Sequence, residues 1–160
     1  MLYGAFWNRP SANSTYASHM HPGIVTRLTA GGLAVVLSLP GAAYVVGLAR
    51  VHGMPVPADP AHYSSEVIAA TWARCREKTP IAVQAMSPWS FGNKFMFADP
   101  LETTPGERAA WRIASTHNSK YRRSGMLWWH TSGAALSIWV TRHWSAEQIG
   151  ATLVRDNLCK

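Results

Sequence analysis

From Leu28 to Ala49 the chain reads "LTAGGLAVVLSLPGAAYVVGLA", without one charged side chain. As a helix this run would rise about 33 Å, enough to cross the hydrocarbon core of a bilayer. Its small residues, among them Gly31, Gly32, Gly41 and Gly47, suit close packing against another helix, and Pro40 predicts a kink at the middle. In water a helix with a central proline and several glycines would be strongly destabilised. The run therefore predicts a transmembrane anchor over residues 24–50. A cleaved secretory signal stays open, since "PGAA" offers small residues at a cleavage position, but the apolar run continues past it through Tyr44 to Leu48.

On either side the pattern changes. Residues 1–23 are rich in Ser, Ala and Asn and show no periodicity, which predicts a disordered lead-in. Residues 51–63, "VHGMPVPADPAHY", carry Pro55, Pro57 and Pro60. Those rings favour an extended, semi-rigid segment, so a stalk holding the next domain off the bilayer is expected.

Residues 64–160 then read as about four helices. Ser64 caps the first, which is expected to run to about Lys78, with Tyr63 and Ile68 in the positions of a hydrophobic staple. Val67, Ile68, Thr71, Trp72 and Cys75 recur at helical spacing and predict its buried face. Pro80 to Met86 alternates and could form a short extended strand. Thr104, Pro105 and Glu107 spell a capping box for a second helix, whose buried side is given by Trp111 and Ala114. A third is expected from about Leu127 to His143, with Leu136, Trp139, Val140 and His143 as its core stripe. Ser145 and Gln148 start the fourth with another capping box, Trp144 stapling against Ile149. The fold class is mainly α: an N-terminal transmembrane helix followed by a small helical domain.

Composition adds a compartment and removes some functions. The formal charge of +7 suits polyanions or anionic lipid. The basic residues are spread, without the concentrated stripe of a phosphate-tracking surface, so no nucleic acid is expected. Arg9 and Arg27 precede the apolar run without an acid, whereas Asp59 and Glu66 follow Arg50 before any further base. That asymmetry puts the N-terminus in the cytoplasm and the helical domain outside. Cys75 and Cys159 then face an oxidising space where a disulfide is permitted.

Candidate chemistry is sparse. His117, His130 and His143 recur at a constant interval, but no pair stands at i, i+4, so neither a metal nor a cofactor is expected. No strained serine turn and no Gly-rich phosphate cradle is present. Glu66, Glu107 and Glu147 are the reasonable candidates for a general base. Trp129, His130, Arg142 and His143 are the candidate binding residues on the tryptophan-rich helix.

The stretch "AALSIWVTRHWSAEQIGATLV" resembles part of the bacterial peptidoglycan glycosyltransferase family, the transglycosylase domain of class A penicillin-binding proteins and their monofunctional relatives. That part pairs a helix R-K-x-x-E-x-x-x-A-x-x-x-E with a following K-x-x-I-L-E-x-Y-L-N. The resemblance implies a membrane tether, an external domain and a lipid-linked peptidoglycan precursor as ligand. Anchored on Ser145 and Ile149, the family's Arg-Lys falls on Trp129 and His130 and its two glutamates on Gly133 and Thr141. Its turn lysine falls on Ala146. The upstream E-D-x-x-F-x-x-H-x-G and G-G-S-T-I-T-Q-Q motifs have no counterpart. The resemblance thus implies a truncated, degenerate relative. The expectation is a single-pass protein of the bacterial inner membrane with a periplasmic domain and a cell-envelope role, bound to the membrane and to peptidoglycan, its precursor or an envelope protein. The alternatives are an active peptidoglycan glycosyltransferase-like enzyme and an unrelated envelope scaffold.

Overall fold

A computed structural model of the chain describes residues 22–75, 82–97, 104–121 and 125–159. The lead-in lies outside them up to residue 21. Helix α1 (Pro22–Ala49) contains Pro40, and its segment Thr29–Ala49 is long and apolar enough to cross a membrane. Leu33, Val35, Val36, Leu37 and Leu39 are all more than half exposed. A helix so apolar and so little covered by protein would find in lipid the burial that water denies it.

One compact unit comprises residues 37–160. It holds the C-terminal turns of α1, a 3₁₀ turn (Pro60–His62), and helices α2 (Ser65–Arg74), α3 (Pro88–Phe97), α4 (Pro105–Lys120), α5 (Met126–His143) and α6 (Ala146–Arg155). The starts are encoded locally. Ser64 Oγ accepts from Val67 N at 3.3 Å. Thr104 and Glu107, like Ser145 and Gln148, exchange both bonds of a capping box. Each such cap stabilises its helix by about 1 kcal/mol.

Helix α5 is the axis of the unit. Helix α4 packs along it, α3 touches it, and α6 packs against α2 and α4. Small residues permit these approaches: a Cβ on Gly133 would lie 3.3 Å from the Trp111 ring, and one on Gly47 would meet Ala135 Cβ and Thr131 O, each at 2.7 Å. Helix α1 thus crosses α5 at Gly47 with backbone nearly in contact. The main core gathers Trp72, Ile113, Ile138, Val140, Ile149 and Leu153 with the Cys75–Cys159 disulfide. That bond is the one the sequence permitted, and it ties the end of α2 to the residues after α6.

Several expectations are corrected. Residues 51–63 are no free stalk. Ala58 is buried against Ile68 and Ala151, and Ala58 N donates to Thr152 Oγ1 at 2.9 Å. Arg155 Nη1 donates to Val56 O, and His117 Nε2 donates to Gly53 O at 3.0 Å. The prolines stiffen a strap laid over α4 and α6, and the compact unit begins within α1 rather than at residue 64. The expected strand fails where it is described: residues 82–87 are irregular, and Met86 N spends its donor on Thr141 Oγ1 at 3.1 Å instead of a ladder. The first helix stops at Arg74; residues 76–78, expected to continue it, and residues 80–81, expected to open the strand, lie outside the described residues.

The domain has five helices among the described residues, because α3 was not anticipated. It begins with a reciprocal Ser87/Ser90 box, in which each backbone N–H donates to the other's hydroxyl at 2.9 Å. The expected stripe of α5 is also redistributed. Leu136 and Val140 are fully buried, but Trp139 is only half-buried and His143 is exposed. Helix α5 is covered on most sides, so its buried set widens to Ser132, Gly133, Ala135, Ser137, Ile138 and Thr141. On α2, Ile68, Thr71, Trp72 and Cys75 are buried as expected, whereas Val67 is exposed.

Candidate functional site

Beside the approach of α1 to α5 at Gly47 lies an open groove of about 1110 Å³. Leu39, Pro40, Ala43 and Tyr44 form one wall. Phe91 from α3, Trp111 from α4, and Leu127, Ala134 and Ile138 from α5 supply much of the remaining apolar lining. Polar groups enter mainly from α4: Glu107, Arg108, Arg112 and Ser115, with His130 and Thr131 of α5 opposite. This composition, mostly apolar with a few convergent polar groups, is that of a small-molecule or lipid cleft.

The placement on α4 follows from helical geometry. Ala109, Ala110, Ile113 and Ala114 are buried against the core. Arg108, Trp111, Arg112 and Ser115, at i, i+3, i+4 and i+7, form the adjacent face and turn into the groove. An aromatic cluster stands at its α5 side. Trp111 lies parallel to the His130 ring, centroids 6.4 Å apart, and Trp129 meets both edge-on at 6.0 and 4.8 Å. Edge-to-face pairs of this kind add about 0.5–1.5 kcal/mol beyond area burial.

Of the proposed general bases, only Glu107 reaches the groove. Its Oε2 accepts from Thr104 N at 2.9 Å, so the same carboxylate closes the capping box of α4. Glu66 and Glu147 are exposed in the first turns of α2 and α6, where they complement the helix dipole. Of the proposed binding residues, His130 lines the groove and Trp129 touches it through Trp111. Arg142 and His143 lie apart. Arg142 Nη1 donates to Met86 O at 3.5 Å. His143 Nδ1 donates to Trp139 O at 2.8 Å, with its ring stacked on Trp139. Arg108 and Arg112 went unnoticed in the sequence. The signal was their i, i+4 spacing around Trp111, beside an alanine-rich stripe.

Two other features define the surroundings. Arg50, just past the end of α1, sits over the Trp128 ring at 4.5 Å, a cation–π contact suited to a membrane surface. A smaller cleft of about 230 Å³ is lined by His117, Lys120, Arg155 and Asp156. Its arginine is already engaged: the hydrogen bonds it donates to the Asp156 carboxylate raise the Arg155 guanidinium above its ordinary pKa and keep it protonated. Among the described residues no three His, Cys, Asp or Glu side chains converge to hold a metal. Compared with protein-family models, curated proteins and solved structures, the chain matches none.

Proposed function

We propose that the chain is a single-pass protein of the bacterial inner membrane whose helical domain lies in the periplasm and acts in the cell envelope as a non-catalytic relative of peptidoglycan glycosyltransferases. The observation that carries this reading is the Cys75–Cys159 disulfide in a chain that also carries the apolar, exposed helix α1. Disulfides persist in oxidising compartments, and a domain tethered outside the cytoplasm is in one. Lack of catalysis is supported at the positions aligned with the family's glutamates. Gly133 leaves its Cβ direction to the Trp111 ring. Thr141 is buried, accepting from Met86 N and donating to Ile138 O. A carboxylate at either place would displace the tryptophan or break the contact that seats Met86.

One observation favours the enzyme alternative, namely that Glu107 shares the groove with Arg108, Arg112 and His130. Glycosyl transfer needs a base for the acceptor proton and cations for the departing pyrophosphate. Yet Glu107 is tied to the Thr104 amide. The test is a gel assay for glycan strands, using labelled lipid II and the purified full-length protein. No strands are expected. Synthesis by the parent that disappears in Glu107→Gln would overturn the non-catalytic reading and name the base.

A further inference from the structure

The first turn of α5 is apolar throughout, from Met126 to Trp129. Met126 is the most exposed large apolar side chain among the described residues, at 77%, and its neighbour Leu127 stands at 72%. The pair adjoins the end of the apolar segment of α1. That segment closes at Ala49, and the next residue, Arg50, holds its guanidinium over the Trp128 ring. Leu127 also lines the groove whose other wall includes Leu39, Pro40 and Ala43. With α1 across a bilayer, the head of α5 would stand where hydrocarbon gives way to headgroups, the depth that tryptophan and arginine favour. Charge decides what covers the pair. Lys120, Arg122 and Arg123 precede it in the chain, and no acidic residue occurs between Glu107 and Glu147. A second copy docking here about a two-fold axis would set Arg50 and these cations against their own images. Anionic headgroups would instead neutralise them while the apolar pair sinks between.

We propose that Met126 and Leu127 insert into the headgroup–acyl boundary of the leaflet in which α1 ends, giving the domain a second contact with the bilayer. This inference rests on the membrane-anchored reading and names a lipid surface as the partner of the patch. Two points of attachment restrict the tilt of the domain, which a single helix leaves free.

Both native cysteines are engaged in the disulfide, so an introduced cysteine is the chain's one free thiol. Met126→Cys, Leu127→Cys and, for reference, Ala69→Cys at an exposed position of α2 are each labelled with an environment-sensitive fluorophore. The full chain is placed in vesicles of phosphatidylcholine and phosphatidylglycerol that carry nitroxide on the headgroup or along the acyl chain. The labels at 126 and 127 should emit to the blue of the label at 69. Nitroxide about 5–10 Å below the headgroups should quench them most, that being the depth of an interfacial side chain, and should leave the label at 69 bright. Water-like, unquenched emission at 126 and 127, from protein that resists carbonate washing, would overturn the contact and leave the anchor standing. Blue emission there that lipid nitroxide does not quench, and that fades as the protein is diluted in lipid, would overturn it in favour of a second copy. Quenching at 69 equal to that at 127 would also overturn it, because the whole domain would then lie on lipid. Loss of the protein from vesicles on carbonate washing would overturn the anchor and the contact together.

Discussion

Replacing Cys75 and Cys159 together by alanine removes the covalent link between the end of α2 and the residues after α6. The two cysteines are 84 positions apart, and closing a loop of that size restricts the unfolded chain by an amount worth about 4.5 kcal/mol. Alanine is the informative replacement. Both sulfurs lie in the core with Trp72 and Leu153, where a serine hydroxyl would add a buried polar group of its own. For a unit spanning residues 37–160, a loss of that size corresponds to a melting temperature lower by roughly 15 °C. The assay is thermal unfolding in detergent, followed by tryptophan fluorescence, with the parent measured oxidised and after reduction. Reduction should reproduce most of the shift. A double variant melting within about 3 °C of the oxidised parent, about 1 kcal/mol or less, would refute the reasoning: the 84-residue loop would then be held as firmly by packing alone.

Two helical tryptophans, Trp72 of α2 and Trp139 of α5, should separate. Trp72→Ala, at a fully buried site, should cost about 3–5 kcal/mol, and Trp139→Ala, at a half-buried one, on the order of 2 kcal/mol; urea unfolding would show the ranking, and the reverse order would contradict the core described above. Trp72→Phe should cost less than Trp72→Ala, because both remove the indole N–H that is buried without a partner among the described residues but the phenyl ring refills most of the cavity. Thr152→Val keeps the shape of a fully buried side chain but strands the Ala58 amide, at about 1–3 kcal/mol. Limited proteolysis should then cut first within residues 51–57. A variant as resistant there as the parent would show that the strap is held by something other than that bond.

Local chemistry made α2, α4 and α6 legible, since Ser64, Thr104 and Ser145 declare their helices within four residues, while α5, which has no side-chain cap, was legible from its apolar spacing. Helix α3 escaped because its box uses Ser90 in place of the usual Glu or Gln and Gly92 interrupts the pattern. The strap escaped for a different reason. Three prolines specify stiffness, but the partners that pin it, His117, Thr152 and Arg155, come from α4 and α6 far along the chain. The spacing of Leu136, Trp139, Val140 and His143 identified one face of α5 correctly as a face. How deeply each residue sank depended on how α5's neighbours packed around it. At the groove, Glu107 and His130 were visible as chemistry-bearing residues. Arg108 and Arg112 acquire their meaning only once α1 crosses α5 at Gly47, an approach that no local pattern records.

That crossing makes the apolar helix unequal on its two sides. On the face carrying Tyr44 and Gly47, protein replaces lipid from Tyr44 onward, so the surface left for acyl chains runs from Thr29 to Ala43, roughly 22 Å at 1.5 Å per residue. On the opposite side Val45 and Val46 stay exposed through the last turns, extending the span to about 31 Å, close to an ordinary hydrocarbon thickness of about 30 Å. A bilayer of that thickness matches one side and overshoots the other. It must thin beside the docked face or take the edge of the groove to acyl-chain depth. With α1 in a bilayer, thickness would set the depth of the groove, thin bilayers leaving it at the surface and thick ones drawing it into the lipid.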